Sequence, residues 1–230
     1  MNEKIVMALS GGMDSATLLG MLLNQQYEVH ALSFYYGSKH NKWEIRAATD
    51  LLKYYQARDY LVSGHKMDIS NTMKEFKSDL LLSGNDIPEG HYEDENMKQT
   101  VVPGRNMIFA SIMAGYAESI GARAIALGVH SGDHHIYPDC RKDFIKALDS
   151  AIYLSSGKSV EVAAPLIDEN KFSILMIGKV LSVPYHLTRT CYKDQELSCG
   201  KCGSCTERLE AFKLAKMNDP VMYEVPLGVM

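Results

Sequence analysis

Two groups of residues in this 230-residue chain have types and spacing suited to chemistry. The first is Ser10-Gly11-Gly12-Met13-Asp14-Ser15, between a short apolar run and a helical pattern in Ala16, Leu18, Leu19, Leu22 and Leu23. Glycines let the backbone approach a polyanion and adopt positive φ. The helix start behind them offers unpaired N–H groups and the positive end of a dipole. Ser10 and Ser15 add hydroxyl donors. Asp14 repels phosphate, so it suits N-capping or holding Mg²⁺. No Gly-Lys-Ser/Thr ends the loop, which excludes a Walker A sequence. The plain alternative is a helix cap at a tight turn.

The second group is Cys191, Cys199, Cys202 and Cys205, four of the chain's 5 cysteines. In a reducing compartment such a cluster reads as a metal site rather than a disulfide set. Four thiolates without histidine suit one structural Zn²⁺ per chain, at about 2.3 Å from each sulfur, with no coordination position left for catalysis. An iron–sulfur cluster or a redox pair are the rivals. The fifth cysteine, Cys140, reads as a small buried thiol.

The elements that must position these groups alternate. Apolar runs at 5–9, 28–34, 59–62, 123–128 and 161–164 read as strands. Helical periodicity starts at Ser15 and recurs over 45–55, 104–121, 143–153 and 171–181, with Gly121 as a stop signal. This predicts an α/β, Rossmann-like parallel sheet flanked by helices. Ligands of such sheets sit beyond the C-terminal ends of the strands, where the 10–15 loop falls. The segment 83–100 breaks the alternation with Gly84, Pro88, Gly90 and the acids Asp86, Glu89, Glu93, Asp94 and Glu95. It reads as a solvated loop or as a lid.

Composition narrows the class. With 24 basic and 28 acidic residues the net charge is -4, which argues against nucleic acid as the main partner. No run approaches the roughly 18 apolar residues of a membrane span, and no signal peptide is evident, so a cytoplasmic protein is expected. A chain of this size buries its own core without staples.

The Ser-Gly-Gly-x-Asp-Ser string resembles the PP-loop of the ATP pyrophosphatases, which include asparagine, GMP and NAD synthetases and tRNA thiolation enzymes. Further strings extend the likeness: Tyr36-Gly37-Ser38-Lys39-His40, Val102-Pro103-Gly104-Arg105-Asn106, Tyr137-Pro138-Asp139-Cys140-Arg141 and Thr190-Cys191-Tyr192. With the cysteine knuckle, they make the chain similar to the 7-cyano-7-deazaguanine synthase family over almost its whole length. The resemblance implies an adenine nucleotide α-hydrolase-like fold, with a PP-loop ATP-binding domain over 1–185. A zinc-binding subdomain over 186–230 would pack on it.

The implied reaction is ATP-dependent carbon–nitrogen ligation. It takes 7-carboxy-7-deazaguanine and ammonia to the nitrile preQ0 through an adenylated carboxylate and an amide, in queuosine biosynthesis. ATP with Mg²⁺ would lie against Ala8, Leu9, Ser10, Gly11, Gly12, Met13, Asp14, Ser15, Ala16, Thr17 and Leu18. Asp14, Ser15 and Lys171 would serve catalysis; Arg105, Asn106, Asp139 and Arg141 would bind substrate; Cys191, Cys199, Cys202 and Cys205 would bind zinc. Ser173 stands where an acid is typical, so the acidic partner of Lys171 is undefined. His40, His130, His134 and His135 are acid–base candidates, and Asp133 beside His134 and His135 raises a second metal position. Partners would be small molecules, with no membrane; a homodimer is allowed. The competing readings are a PP-loop tRNA thiolase, which would want a basic face and sulfur-carrying cysteines, and a non-catalytic zinc-knuckle interaction protein.

Overall fold

The computed structural model describes residues 2–91 and 94–224. β1 (Lys4–Ala8) is the central strand of a five-stranded parallel sheet of order β3-β2-β1-β4-β5. It pairs with β2 (Glu28–Tyr35) and with β4 (Ala124–Ala126), in a register that sets Ile5 beside both Val29 and Ala124. β3 (Val62–Asp68) and β5 (Glu161–Ala163) form the edges. A central parallel strand is covered on both faces, which is why β1 is an unbroken apolar run.

Side chains alternate between the two faces. Ile5 and Met7 pack against α1 (Met13–Asn24), α2 (Asn41–Gln56) and α6 (Lys171–Val180). Val6, Leu32, Phe34 and Ile125 pack against α4 (Arg105–Ile120) and α5 (Lys142–Ser155). α3 (Ser70–Met73) is a single turn. The last helix, α7 (Gly203–Leu214), buries Ala211 and Phe212 in the same core as α1 and α6. The chain leaves β1 toward β2 and returns to β4 on the other side, so a crevice opens beyond these two strands. That is where ligands of doubly wound sheets sit. No helix among the described residues is long and apolar enough to cross a membrane.

Two elements differ from the sequence expectation. The third strand runs over Val62–Asp68, not 59–62. Asp59 sits in a turn at φ 61, and Tyr60 and Leu61 are exposed. As an edge strand β3 pairs through its backbone with β2 and needs no apolar run, so Ser63-Gly64-His65-Lys66 carries no strand signal. α7 was also absent from the sequence reading, which saw only a cysteine knuckle there.

Within the segment 83–100, Glu89 and Gly90 form a strap on the knuckle. Glu89 bridges to Cys202, the Gly90 N–H donates to the Lys201 carbonyl at 3.1 Å, and the Thr206 hydroxyl donates to the Gly90 carbonyl at 3.2 Å. Glu89 also pairs with Lys193. A 3₁₀ turn over Glu95–Thr100 then buries Met97 and leads to α4.

Gly11, at φ +83, lets the loop after β1 rest on α2. A Cβ there would meet the Glu44 carbonyl oxygen at 2.7 Å and the Ala48 nitrogen at 2.8 Å, both backbone atoms. Gly11→Ala is therefore expected to lower the free energy of unfolding by about 1–3 kcal/mol, read from urea denaturation.

Candidate active site

The loop between β1 and α1 is organised by its own hydroxyls. Ser10 Oγ lies 3.1 Å from Ser15 Oγ and accepts the Gly12 N–H at 3.3 Å. The Ser15 hydroxyl donates to the Gly12 carbonyl at 3.2 Å. Gly12 is the N-cap of α1, and no side chain caps the helix start. From the far end of the chain, the Arg189 N–H donates to the Gly11 carbonyl at 2.8 Å.

Asp14 does not cap α1. Both its oxygens accept from Lys171 Nζ, at 2.9 and 2.8 Å. Lys171 opens α6, whose N-cap Asn170 accepts the Ser173 N–H at 2.8 Å. Its ammonium also pairs with Glu207 Oε2 at 3.0 Å and lies 3.0 Å from His130 Nε2. His130 Nε2 in turn lies 3.5 Å from Asp133. Burial works against the Lys171 charge, but Asp14 and Glu207 overcome it and hold the ammonium protonated above the usual lysine range. Burial raises the Asp14 carboxyl, yet Lys171 and His130 outweigh it and keep Asp14 below the ordinary aspartate value.

Across the crevice stands Arg105, the first residue of α4, placed after Gly104 in the left-handed region at φ 62. The groups around its guanidinium are Tyr36, Tyr137, Tyr192 and Cys140; among the described residues no carboxylate pairs with it. It lies 5.7 Å from the Tyr137 ring centroid. Phe34 and Phe109 stack at 4.0 Å and extend the aromatic wall. Asn41 holds the Tyr36-Gly37-Ser38 turn by accepting all three N–H groups at 2.9 Å. One cavity is lined by this wall, by Arg105 and Asn106, and by the loop with Asp14, Lys171 and Glu207.

Of the residues expected at the nucleotide, Ala8, Leu9, Ser10, Gly12, Met13, Asp14 and Ser15 line this cavity. Gly11 faces α2, and Ala16 and Leu18 are buried in the core. The Thr17 hydroxyl is taken by the Met13 carbonyl and the Tyr185 hydroxyl. Of the residues expected at the substrate, Arg105 and Asn106 line the cavity, whereas Asp139 and Arg141 do not. Asp139 accepts the Asn106 N–H at 3.0 Å and so fixes the start of α4. Arg141 is exposed and donates to the His134 carbonyl. None of the described residues of the 83–100 segment lines the cavity.

Glu207 is the site residue that the sequence reading missed, whereas His130, an acid–base candidate, and Asp133, a candidate for a second metal position, stand together beside Lys171. The Ser204-x-x-Glu207 spacing is a helix-start signal that could have exposed α7 and its acid.

The four cysteines are buried, and their sulfurs all lie within 4.8 Å of one another. No disulfide joins them. The tetrahedral tetrathiolate zinc geometry implies sulfurs about 3.8 Å apart, and Cys199 and Cys205 sit at 4.0 Å. Backbone N–H groups of Lys201 and Cys202 point at Cys199 Sγ from 3.4 and 3.3 Å, as they would toward a thiolate. The donor set therefore fits a structural metal ion. None of the four lines the cavity; Cys140 does, but burial pushes its thiol well above the usual range, with Asp133 and Asp139 adding to the effect, which makes it a poor nucleophile.

A parallel sheet with a glycine-rich loop at its switch point and a lysine beside that loop defines a doubly wound α/β protein with a ligand crevice at that point. The solved NMN synthetase from Francisella tularensis shares the fold, with a TM-score of 0.52 at 13% identity over 94% of this chain and 79% of that one. The family model described as "Queuosine biosynthesis protein QueC" matches residues 4–216, and the chain belongs to the QueC family. A relative from Caldicellulosiruptor saccharolyticus, named 7-cyano-7-deazaguanine synthase, is 47% identical over 97% of both chains. One of the same name from Archaeoglobus fulgidus is 46% identical over 95% of this chain and 90% of its own.

The depressed Asp14 carboxyl stabilises the fold above the unfolded aspartate pKa of about 4, and this contribution is lost as the pH falls through the lower folded-state value. Stability curves of the parent protein and Asp14→Asn are therefore expected to differ near neutrality and to converge at acid pH, measured by urea unfolding across that range.

Proposed function

We propose that the chain catalyses the ATP-dependent conversion of 7-carboxy-7-deazaguanine and ammonia to 7-cyano-7-deazaguanine. The carrying observation is Arg105: a guanidinium that pairs with no carboxylate among the described residues, set in an aromatic wall, in the cavity that also contains the 10–15 loop. A half-buried cation of this kind, at the wall of a cavity, has an anion as its complement. The flat rings beside it fit a flat, aromatic carboxylate.

In this reading the α1 amides, Ser10 and Ser15 donate to the ATP phosphates, and Lys171 neutralises their charge. Mg²⁺ would accompany ATP, with Asp14 the loop carboxylate placed to hold it. Arg105 orients the substrate carboxylate. One carboxylate oxygen attacks the α-phosphorus and pyrophosphate leaves, which converts an unreactive carboxylate into an acyl adenylate. Ammonia attacks the acyl carbon, the bond to AMP breaks, and a proton leaves nitrogen to give the amide. The amide oxygen then attacks the α-phosphorus of a second ATP, again releasing pyrophosphate. Departure of AMP with that oxygen, and loss of both nitrogen protons, leaves the nitrile. Both activations need the same fixed geometry, which one loop supplies twice. Asp139 acts through Asn106 and the start of α4, as a positioning residue.

Cys191, Cys199, Cys202 and Cys205 would hold one zinc ion, which supplies a structural cross-link and no chemistry. We divide the chain into an ATP-binding α/β body over 1–185 and a zinc-binding subdomain over 186–230 that packs on it. The partners in this reading are small molecules, met in the cytoplasm.

Purified protein given ATP, Mg²⁺, ammonium and 7-carboxy-7-deazaguanine is expected to yield the nitrile with two AMP formed per product, followed by mass spectrometry; no product from folded protein overturns the assignment. Arg105→Ala is expected to lower kcat/KM for the carboxylate roughly 10- to 100-fold, the loss of a hydrogen bond to a charged group. Elemental analysis should find about one zinc per chain, lost in Cys199→Ser.

A further inference from the structure

We propose that Glu207 is a positioning residue that couples the cysteine knuckle to the phosphate loop, so that metal retention at the four cysteines and ATP binding at residues 10–15 strengthen each other. The proposal rests on the reading of that loop as an ATP site.

Cys202 is the N-cap of α7 and Cys205 lies in its first turn, so a metal ion held by the knuckle fixes the start of this helix. Glu207 follows Cys205 by two residues, which is about 3 Å along the helix axis. Its side chain is 14% exposed and reaches away from the knuckle to Lys171 Nζ at 3.0 Å. The other carboxylate oxygen packs on Gly132, where a Cβ would approach it to 2.7 Å. Glu207 is thus wedged between α6 and the turn that carries His130.

Lys171 is only 8% exposed, and its charge-bearing carboxylate partners are Asp14 on α1 and Glu207 on α7. Displacement of α7 would leave Nζ with Asp14 as its one paired carboxylate among the described residues, beside His130, and would allow it to collapse onto that carboxylate, away from bound phosphate. The knuckle segment touches the loop a second time, through the Arg189 N–H and the Gly11 carbonyl. That contact is backbone and survives side-chain replacement, so Glu207 can be tested separately. A coupling of this kind is reciprocal: whatever factor zinc adds to ATP affinity, ATP adds to zinc affinity.

The test uses the zinc-loaded, full-length protein. ATP affinity is measured by calorimetry, and zinc affinity by competition with a chromogenic chelator, with and without saturating ATP and Mg²⁺. In the unaltered protein ATP should raise zinc affinity roughly fivefold or more. Glu207→Gln should keep its fold and its zinc, weaken ATP by a similar factor, and abolish the effect of ATP on zinc. Glu210→Gln, an exposed position of the same helix, should change neither. If Glu207→Gln does not fold, Glu207→Asp, which withdraws the carboxylate by one methylene, carries the same two measurements. An undiminished ATP effect on zinc in the Glu207 variant, or no such effect in a parent protein that binds ATP, overturns the coupling. A parent protein that binds zinc but no ATP overturns the reading of the loop, and the coupling with it.

Discussion

The site depends on keeping one ammonium charged where water scarcely reaches. Removing an ion from water costs several kcal/mol unless partners of opposite charge replace the solvent. Lys171 therefore requires carboxylates at close range, and it draws Asp14 from the start of α1 and Glu207 from α7, with His130 from the turn after β4. These segments meet only because the sheet places β1 beside β4 and because α7 packs on α6. The next residue along α7 is anchored equally firmly. Arg208 is 1% exposed and pairs with Asp219 at 2.7 Å, while its other nitrogens donate to Thr188, Thr190 and the Tyr185 carbonyl. Adjacent positions on a helix point about 100° apart. One therefore faces the cavity and the other secures the segment beyond the helix.

Three arginines show how the surroundings decide what a residue does. Arg208 is neutralised by an aspartate. Arg189 donates to the carbonyls of Lys193, Gln195 and Glu196, with Trp43 beside it, and so shapes the chain ahead of the cysteines. Arg105 has tyrosines and a neutral thiol around it. Arg208 is consumed by the fold, whereas Arg189 also lines the cavity and keeps its buried Nε without a hydrogen-bond acceptor among the described residues. Arg105 meets no carboxylate among the described residues, and this property, not residue type, sets it apart from Arg208.

The central part of this arrangement was legible in the sequence. A buried strand must be an apolar run, and a glycine pair after it signals a turn with little side-chain obstruction, so the β1-loop-α1 unit could be read locally. The cysteine spacing was legible for the same reason, since its ligands are close in sequence. What escaped depended on distant partners. The ion pair of Asp14 escaped because Lys171 is 157 positions away. The acid expected near Ser173 is supplied by Glu207, on a helix hidden behind the cysteines. β3 escaped because an edge strand is held by backbone pairing, which leaves no apolar signature.

The distance along the chain between Asp14 and Glu207 has a consequence for the order of events in synthesis. The first element of the site emerges from the ribosome early, with β1, whereas its last carboxylate emerges only after residue 207. No shorter nascent chain contains the complete cluster, and long-range closure of this kind is slow. Until then Lys171 lacks half of its carboxylate partners. The growing chain therefore cannot close the cluster around Lys171 until α7 has docked.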